Sequence, residues 1–219
     1  RIDRRSGLMG DDSPQFPLRL VDGRRLERRY RDVLLPGGIL CDHRGQARVL
    51  PRYFYEVESW EQARETCLAP HFTVSEFIHT DVREAPPLRV FPRYIPCATA
   101  LLAVALEQFR EAVGTYVYIG ANGGYCSPRH AGTGGASPHC WGTAANIYRI
   151  GDTYLDTHES IARYAAIARE VLPTVWTRPL GPEMAKTDDH LHLDFGYVIS
   201  VPREAPGETY NVKLAGDPL

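Results

Sequence analysis

Ser137-Pro-His139-Cys-Trp-Gly142-Thr-Ala144-Ala-Asn146 and Asp188-Asp189-His190-Leu-His192-Leu-Asp194 are the two stretches from which the rest of the chain is read. Imidazole is the commonest protein ligand of a metal, and a catalytic centre usually keeps three protein ligands and one open position. His139 stands seven residues before Asn146, a short amide whose oxygen can face the same pocket. His190 and His192 are two apart, so on a strand they share one face. The two stretches predict a single metal site whose halves come from distant parts of the chain.

Outward from these stretches, the patterning predicts an α+β fold: helices packed on a small, mostly antiparallel sheet. The clearest helix is expected from about Cys97 to Val113, where Leu101, Leu102, Ala105, Leu106, Phe109 and Val113 recur at three- and four-residue steps and Gly114 stops the run. A second helix is expected over His158–Val171, opening near Thr157 and closing before Pro173. Ser59 can cap a short helix running through Cys67. Tyr53–Val57, Tyr116–Ile119, Thr174–Trp176, Leu191–Phe195 and Val198–Val201 read as strands. Ile39–Cys41 and Ala47–Leu50 flank Asp42-His-Arg-Gly45 as a hairpin. Residues 1–35 are rich in Arg, Asp and Gly without a sustained period, which predicts an arm or irregular cap. The 120–136 segment is Gly-rich and reads as loop.

Composition narrows the function classes. A length of 219 residues suits one substantial core with an extension. The net charge of −2 leaves no electrostatic footprint for nucleic acid, and acids interleave with basic runs such as Arg24-Arg25-Leu-Glu-Arg28-Arg29. The longest apolar run, around Ala98–Leu106, is too short to span a membrane. The five cysteines, Cys41, Cys67, Cys97, Cys126 and Cys140, are odd in number and lack paired spacing, which argues against a disulfide framework. Cys41, Cys67 and Cys97 are expected to be buried free thiols. The chain opens on Arg1 rather than Met, so an upstream segment, a signal peptide included, is compatible with it. Gly132, Gly134 and Gly135 lack the Lys-Ser/Thr of a phosphate loop, so nucleotide binding is not expected.

The motif order resembles the zinc D-alanyl-D-alanine carboxypeptidase family, which includes the L-alanyl-D-glutamate endolysins and shares its fold with the hedgehog signalling domain. The resemblance rests on Ser-x-His-x-x-Gly-x-Ala-x-Asp followed by Asp-x-x-His, on His71-Phe-Thr-Val-Ser-Glu76-Phe77, and on Gly124-Tyr-Cys126-Ser-Pro128. It covers roughly residues 70–200. It implies an extension over residues 1–69 and a peptidase-like domain over 70–219. It also implies Zn²⁺ or another divalent metal held by His139, Asn146 and His192, with Asp189 as general base. The implied substrate is a short peptide or amide, with D-residues as in peptidoglycan stems, and the implied setting is the cell envelope or outside the cell. Five unpaired-looking cysteines are equally compatible with the cytoplasm.

Two departures fall at the chemistry. Asn146 stands where the family has a metal-binding Asp, and Cys126 where it has a substrate-binding Arg. An amide oxygen is a weaker ligand than a carboxylate. The alternatives are that Asn146 still ligates, that Cys126 completes a His₂Cys set, or that no metal is held and Cys126, His139 and Asn146 form a covalent-catalysis group. Arg129 is a candidate to replace the missing Arg. His190 is assigned to the pocket beside its partner in the pair, and Asp194 to a contact with a ligand N–H. Asp188 reads as a turn residue. Ser137 reads as a cap, and Gly142 and Ala144 as packing positions. Trp141, Tyr125 and Tyr148 either line a groove or pack in the core. A degenerate binding domain without turnover is the rival reading.

Overall fold

The structure, a computed structural model, describes residues 16–179 and 189–205. Asp188 and residues 1–15 of the expected N-terminal arm lie outside the described residues.

The chain opens with strand β1 (Arg19–Asp22), helix α1 (Arg28–Leu34), the hairpin β2 (Ile39–Cys41) and β3 (Ala47–Val49), and β4 (Tyr53–Glu56). Helix α2 (Trp60–Glu65), β5 (Cys67–Ala69), β6 (Phe72–Thr73), α3 (Val74–Ile78), α4 (Pro86–Val90) and β7 (Tyr94–Pro96) follow. The remainder is α5 (Thr99–Val113), β8 (Val117–Ile119), β9 (Ala144–Ile150), β10 (Thr153–Tyr154), α6 (His158–Val171), β11 (Trp176–Thr177) and β12 (Leu191–Asp194). This is an α+β architecture, and the described strand pairings are antiparallel. Among the described residues no helix is long and apolar enough to cross a membrane.

Two larger sheets organise the molecule. One is three-stranded in the order β1-β4-β7; the other has β9 at its centre, with β8 paired to β9 and the path β10-β9-β12-β11 completing it. β7 follows residue 70 and β4 precedes it, and the largest core cluster holds Tyr53 and Val57 together with Ile95 and Leu106. The boundary expected at residues 69/70 is therefore bridged by both a sheet and a core.

Helices α5 and α6 form where the periodicity predicted, and their ends show why. Gly114 adopts the left-handed conformation (φ 69°) and returns its N–H to Arg110 O, closing α5. Thr157 caps α6 by accepting from Ser160 N at 3.1 Å. Leu102, Leu106 and Phe109 of α5 and Ile161, Ala165 and Ala168 of α6 are buried against Ala145, Ile147, Leu191 and Leu193 of the central sheet. Burial of each large apolar side chain contributes about 1.5–3 kcal/mol. With those strand residues turned to the helices, the alternate residues Asn146, His192 and Asp194 face the opposite side.

Several expectations are corrected. Residues 19–34 are not an irregular arm: Leu26, Tyr30 and Leu34 are buried at four-residue steps and seat α1. Val198–Val201 forms no strand; Gly196 (φ 75°) turns the chain, and Ile199 and Tyr197 pack on the cluster around Trp141 instead. Helix α2 stops at Glu65, and Cys67 begins β5. Leu101 lies on the outer face of α5 at 55% exposure. Cys41 and Cys67 are exposed at short strands, whereas Cys97 is buried as expected.

Candidate metal centre

His139 sits on a single 3₁₀ turn, Pro138–Trp141, whose position is over-determined. Trp141 is fully buried, donates its indole N–H to Val49 O at 2.9 Å, and meets the Tyr197 ring edge-on at 4.9 Å. Gly142 follows in the left-handed conformation (φ 70°), and a Cβ there would stand 2.2 Å from Thr99 Oγ1, so only glycine fits. Thr143 donates its N–H to Pro138 O at 3.2 Å, accepts from Phe195 N at 3.0 Å, and its hydroxyl reaches Gly196 O. The turn is thereby tied to the exit of β12.

Sheet register sets the other half. β12 pairs with β9 so that His192 is opposite Asn146 and Asp194 opposite Ala144. The His192 and His139 rings meet edge-on with centroids 5.1 Å apart, and both side chains are largely buried. His192 Nδ1 lies 2.8 Å from Asn146 Oδ1, and its Nε2 lies 2.9 Å from Asp194 Oδ2. The Asp194 carboxylate and the Asn146 amide oxygen both accept only, so a neutral ring donates to one of them; donation from Nε2 to the charged acceptor Asp194 leaves Nδ1 unprotonated beside Asn146 Oδ1 without a hydrogen bond. The Asn146 side chain also acts on His139, opposing the fall in its pKa. His139 Nδ1 is buried without a hydrogen-bond partner. Burial and the neighbouring His192 push His139 down to about 3, so its ring is neutral.

The result is two imidazole rings in contact beside one amide, with a buried carboxylate behind the second imidazole. Among the described residues no three His, Cys, Asp or Glu side chains gather as a metal-holding group. The groups brought together there are two histidines and Asn146.

Asp194 Oδ2 lies 2.9 Å from His192 Nε2, and its other oxygen accepts from Gly196 N at 2.8 Å. Asp189 and His190 are joined to each other: His190 Nδ1 donates to Asp189 Oδ1, while Arg178 Nη2 donates to His190 Nε2 at 3.1 Å. A lone pair on Nε2 and a proton on Nδ1 make this ring neutral. Burial is the largest cause of its lowered pKa, with Arg178 acting in the same direction.

Cys126 is buried beside Cys140 in an apolar cluster with Leu50 and Trp141. A hydrogen bond with Cys140, followed by burial, holds its thiol well above the ordinary thiol range. That is the opposite of the low pKa a nucleophilic or metal-binding cysteine needs. Arg129 is exposed, and its backbone N–H bonds Ser127 Oγ at 3.2 Å. Ser127 is itself held by buried Glu84, which accepts from Ser127 N, Ser127 Oγ and Asn122 Nδ2 at 2.6–2.9 Å. Tyr125 packs in the core, Glu76 closes a capping box on α3, and Tyr148 is partly exposed beside Tyr118.

The sequence reading missed Arg178 and Trp176. No local motif marks them; they reach the site through strand pairing. β11 places Trp176 opposite Asp194, and Arg178 N donates to His192 O at 3.1 Å, which continues the register.

No protein-family model, curated protein or solved structure matches the chain.

Proposed function

We propose that this protein is a metal-dependent hydrolase of a peptide or amide bond, on a carboxypeptidase/hedgehog-like fold. The observation that carries the reading is the contact of the His139 and His192 rings, centroids 5.1 Å apart, beside the Asn146 amide above a sheet, with Asp194 against His192 Nε2. This donor set fits Zn²⁺, which accepts imidazole nitrogen and side-chain oxygen, although a neutral amide holds it less tightly than a carboxylate. A divalent cation bound there supplies a Lewis acid that polarises the scissile carbonyl and acidifies the attacking water.

The protein's own groups account for the remaining steps. Neutral His139 presents a lone pair, and Asp194, 2.9 Å from His192 Nε2, keeps that nitrogen's proton on the side away from Asn146. Asp189 accepts a proton from the attacking water and returns it to the leaving amine. His190 orients that carboxylate by donating to Oδ1. By resemblance, the substrate is a short peptide of the peptidoglycan-stem type.

Metal analysis of protein purified without chelator tests the reading, alongside hydrolysis of alanyl-alanine and alanyl-glutamate peptides of both chiralities. About one zinc per chain with turnover is expected. No metal after purification and none after zinc soaking would refute it.

A second reading, a peptide-binding domain without turnover, is favoured by one observation: a neutral amide stands at position 146. Zinc content with no hydrolysis of any of these peptides would select it.

A further inference from the structure

Cys126 and Cys140 are separated by a long loop in the chain and stand side by side in the fold. Cys126 N donates to His139 O at 3.4 Å, so the backbone of one cysteine abuts the peptide that leads into the other. Summed along the intervening bonds, that contact limits the two Cα atoms to a separation of roughly 7.5 Å or less. Both side chains turn into one small apolar cluster with Leu50 and Trp141, at 3% and 1% exposure. The Cys140 thiol is also the first influence on the Cys126 thiol, ahead of burial. A disulfide bridges Cα separations of about 4.4–6.8 Å when the two side chains turn toward each other. The remaining cysteines are placed differently: Cys41 and Cys67 are exposed, and Cys97 belongs to the larger core cluster.

The segment between the two cysteines forms neither helix nor strand from residue 127 to residue 137. It holds Gly132, Gly134 and Gly135, and glycine gives the unfolded chain more freedom to lose on folding than any other residue. Ala131 N to Arg83 O at 3.0 Å and Ala136 N to Cys41 O at 2.9 Å tie it to the body of the protein. A covalent bond across its ends would take freedom out of the unfolded state. It would also fasten the Pro138–Trp141 turn, which carries His139, to the Gly124–Pro128 stretch.

We infer that Cys126 and Cys140 form a disulfide when the chain folds in an oxidising medium, closing the 126–140 loop and stapling the His139 turn. The oxidant is a small-molecule disulfide, such as oxidised glutathione. One cysteine gives up its proton and attacks a glutathione sulfur, which breaks the glutathione S–S bond and releases one glutathione thiolate. The other cysteine gives up its proton and attacks the protein sulfur of that mixed disulfide, releasing the second glutathione thiolate. Both released thiolates take up protons, so two protein S–H bonds become one S–S bond and the oxidant accepts two electrons. The exchange belongs to folding, while both sulfurs are open to the oxidant; burial then shields the finished bond from reductants. The bond is independent of any metal at the His139–His192 centre.

Reduced, denatured protein is refolded in two media, one containing mixed oxidised and reduced glutathione, the other excess dithiothreitol. Each sample is alkylated with iodoacetamide in denaturant, digested with trypsin without reductant, and mapped by mass spectrometry. Trypsin cuts between the two cysteines at Arg129, so a bond between them joins two peptides. That crosslinked pair is expected after refolding in glutathione and absent after refolding in dithiothreitol. Calorimetry should give a Tm roughly 6–12 °C higher for the glutathione sample, the effect of closing a loop of this length in a domain of this size. The double variant Cys126→Ala/Cys140→Ala should show the same Tm in both media.

Recovery of Cys126 and Cys140 as alkylated thiols from the glutathione sample overturns the inference, as does linkage of either one to another cysteine. A crosslink that leaves Tm equal in the two media also overturns it, because the bond then staples nothing. The two refolded samples of the parent decide the matter even if the double variant does not fold.

Discussion

Replacing Asp194 by Asn changes one oxygen to an NH₂ group and leaves the shape of the side chain alone. In the native site, Asp194 Oδ2 accepts from His192 Nε2 at 2.9 Å and Oδ1 accepts from Gly196 N at 2.8 Å, with the side chain 10% exposed. The Gly196 N–H needs an acceptor, so the Asn oxygen takes that bond and the NH₂ faces His192. A donor there forces the imidazole proton from Nε2 to Nδ1, the nitrogen that must present its lone pair to a metal. Loss of such a partner weakens metal binding about 10- to 100-fold, or about 1.4–2.7 kcal/mol. At a zinc concentration 100 times the parent's Kd, the parent gains about 2.7 kcal/mol of stability, and the variant about 1.4 to 0.4 kcal/mol. With about 2–4 °C per kcal/mol for a domain of this size, the zinc-induced rise in Tm should shrink by roughly 3–9 °C. Competition titration against a chromophoric chelator gives the Kd directly, and calorimetry with and without zinc gives the shift in Tm. Asp152→Asn, at an exposed turn, controls for the loss of a charge. Equal zinc affinity in Asp194→Asn and the parent would refute the assignment of Nδ1 as the metal-facing nitrogen.

Asn146→Asp should raise zinc affinity by about tenfold or more, because it places a charged oxygen beside His192 Nδ1; unchanged affinity in the chelator assay would mean position 146 does not ligate. Asp189→Asn should leave zinc content intact and lower hydrolysis by roughly 10²- to 10⁴-fold. Parent activity per bound zinc in that variant would remove Asp189 as the base. Under native conditions with chelator present, iodoacetamide should label Cys41 and Cys67 and spare Cys126, which is 3% exposed and holds a protonated thiol. Rapid native labelling of Cys126, read by peptide mass spectrometry, would revive a cysteine-based mechanism.

The elements most legible in the sequence are those whose signals are local. Helix α6 runs over His158–Val171 as its apolar steps and Thr157 cap indicate, and α5 ends at Gly114 because that residue alone takes the left-handed turn cheaply. The β2–β3 hairpin is equally local, with Asp42 accepting from Arg44 N and Gln46 N at 2.9 Å each. Helix α1 was masked by its arginines, although Leu26, Tyr30 and Leu34 carry a four-residue stripe within them. The apolar run at residues 198–201 mimicked a strand, yet Ile199 packs on the Trp141 cluster that supports His139 while Val198 and Val201 are exposed. Asp194 was legible because it lies two residues from His192 on the same strand face. Arg178 was not, because its alignment depends on the pairing of β11 with β12.

That pairing shows how the core governs the chemistry. Leu191 and Leu193 alternate with His190, His192 and Asp194, and they are buried against the same cluster as Ala145 and Ile147 of β9. A strand shifted by one residue would turn every side chain to the other face, exposing the leucines and burying two histidines and a carboxylate under α5 and α6. The cost is several kcal/mol in lost apolar burial alone, at about 1.5–3 kcal/mol for each leucine, before any charge is desolvated. The register that buries the leucines therefore also sets His192 against Asn146 and Arg178. No separate device is needed to align the row, and the choice of residue at each outward position is left free to vary the chemistry. An amide at 146, a thiol withdrawn into the core at 126 and a guanidinium at 178 are three such outward or near-site choices on one fixed frame.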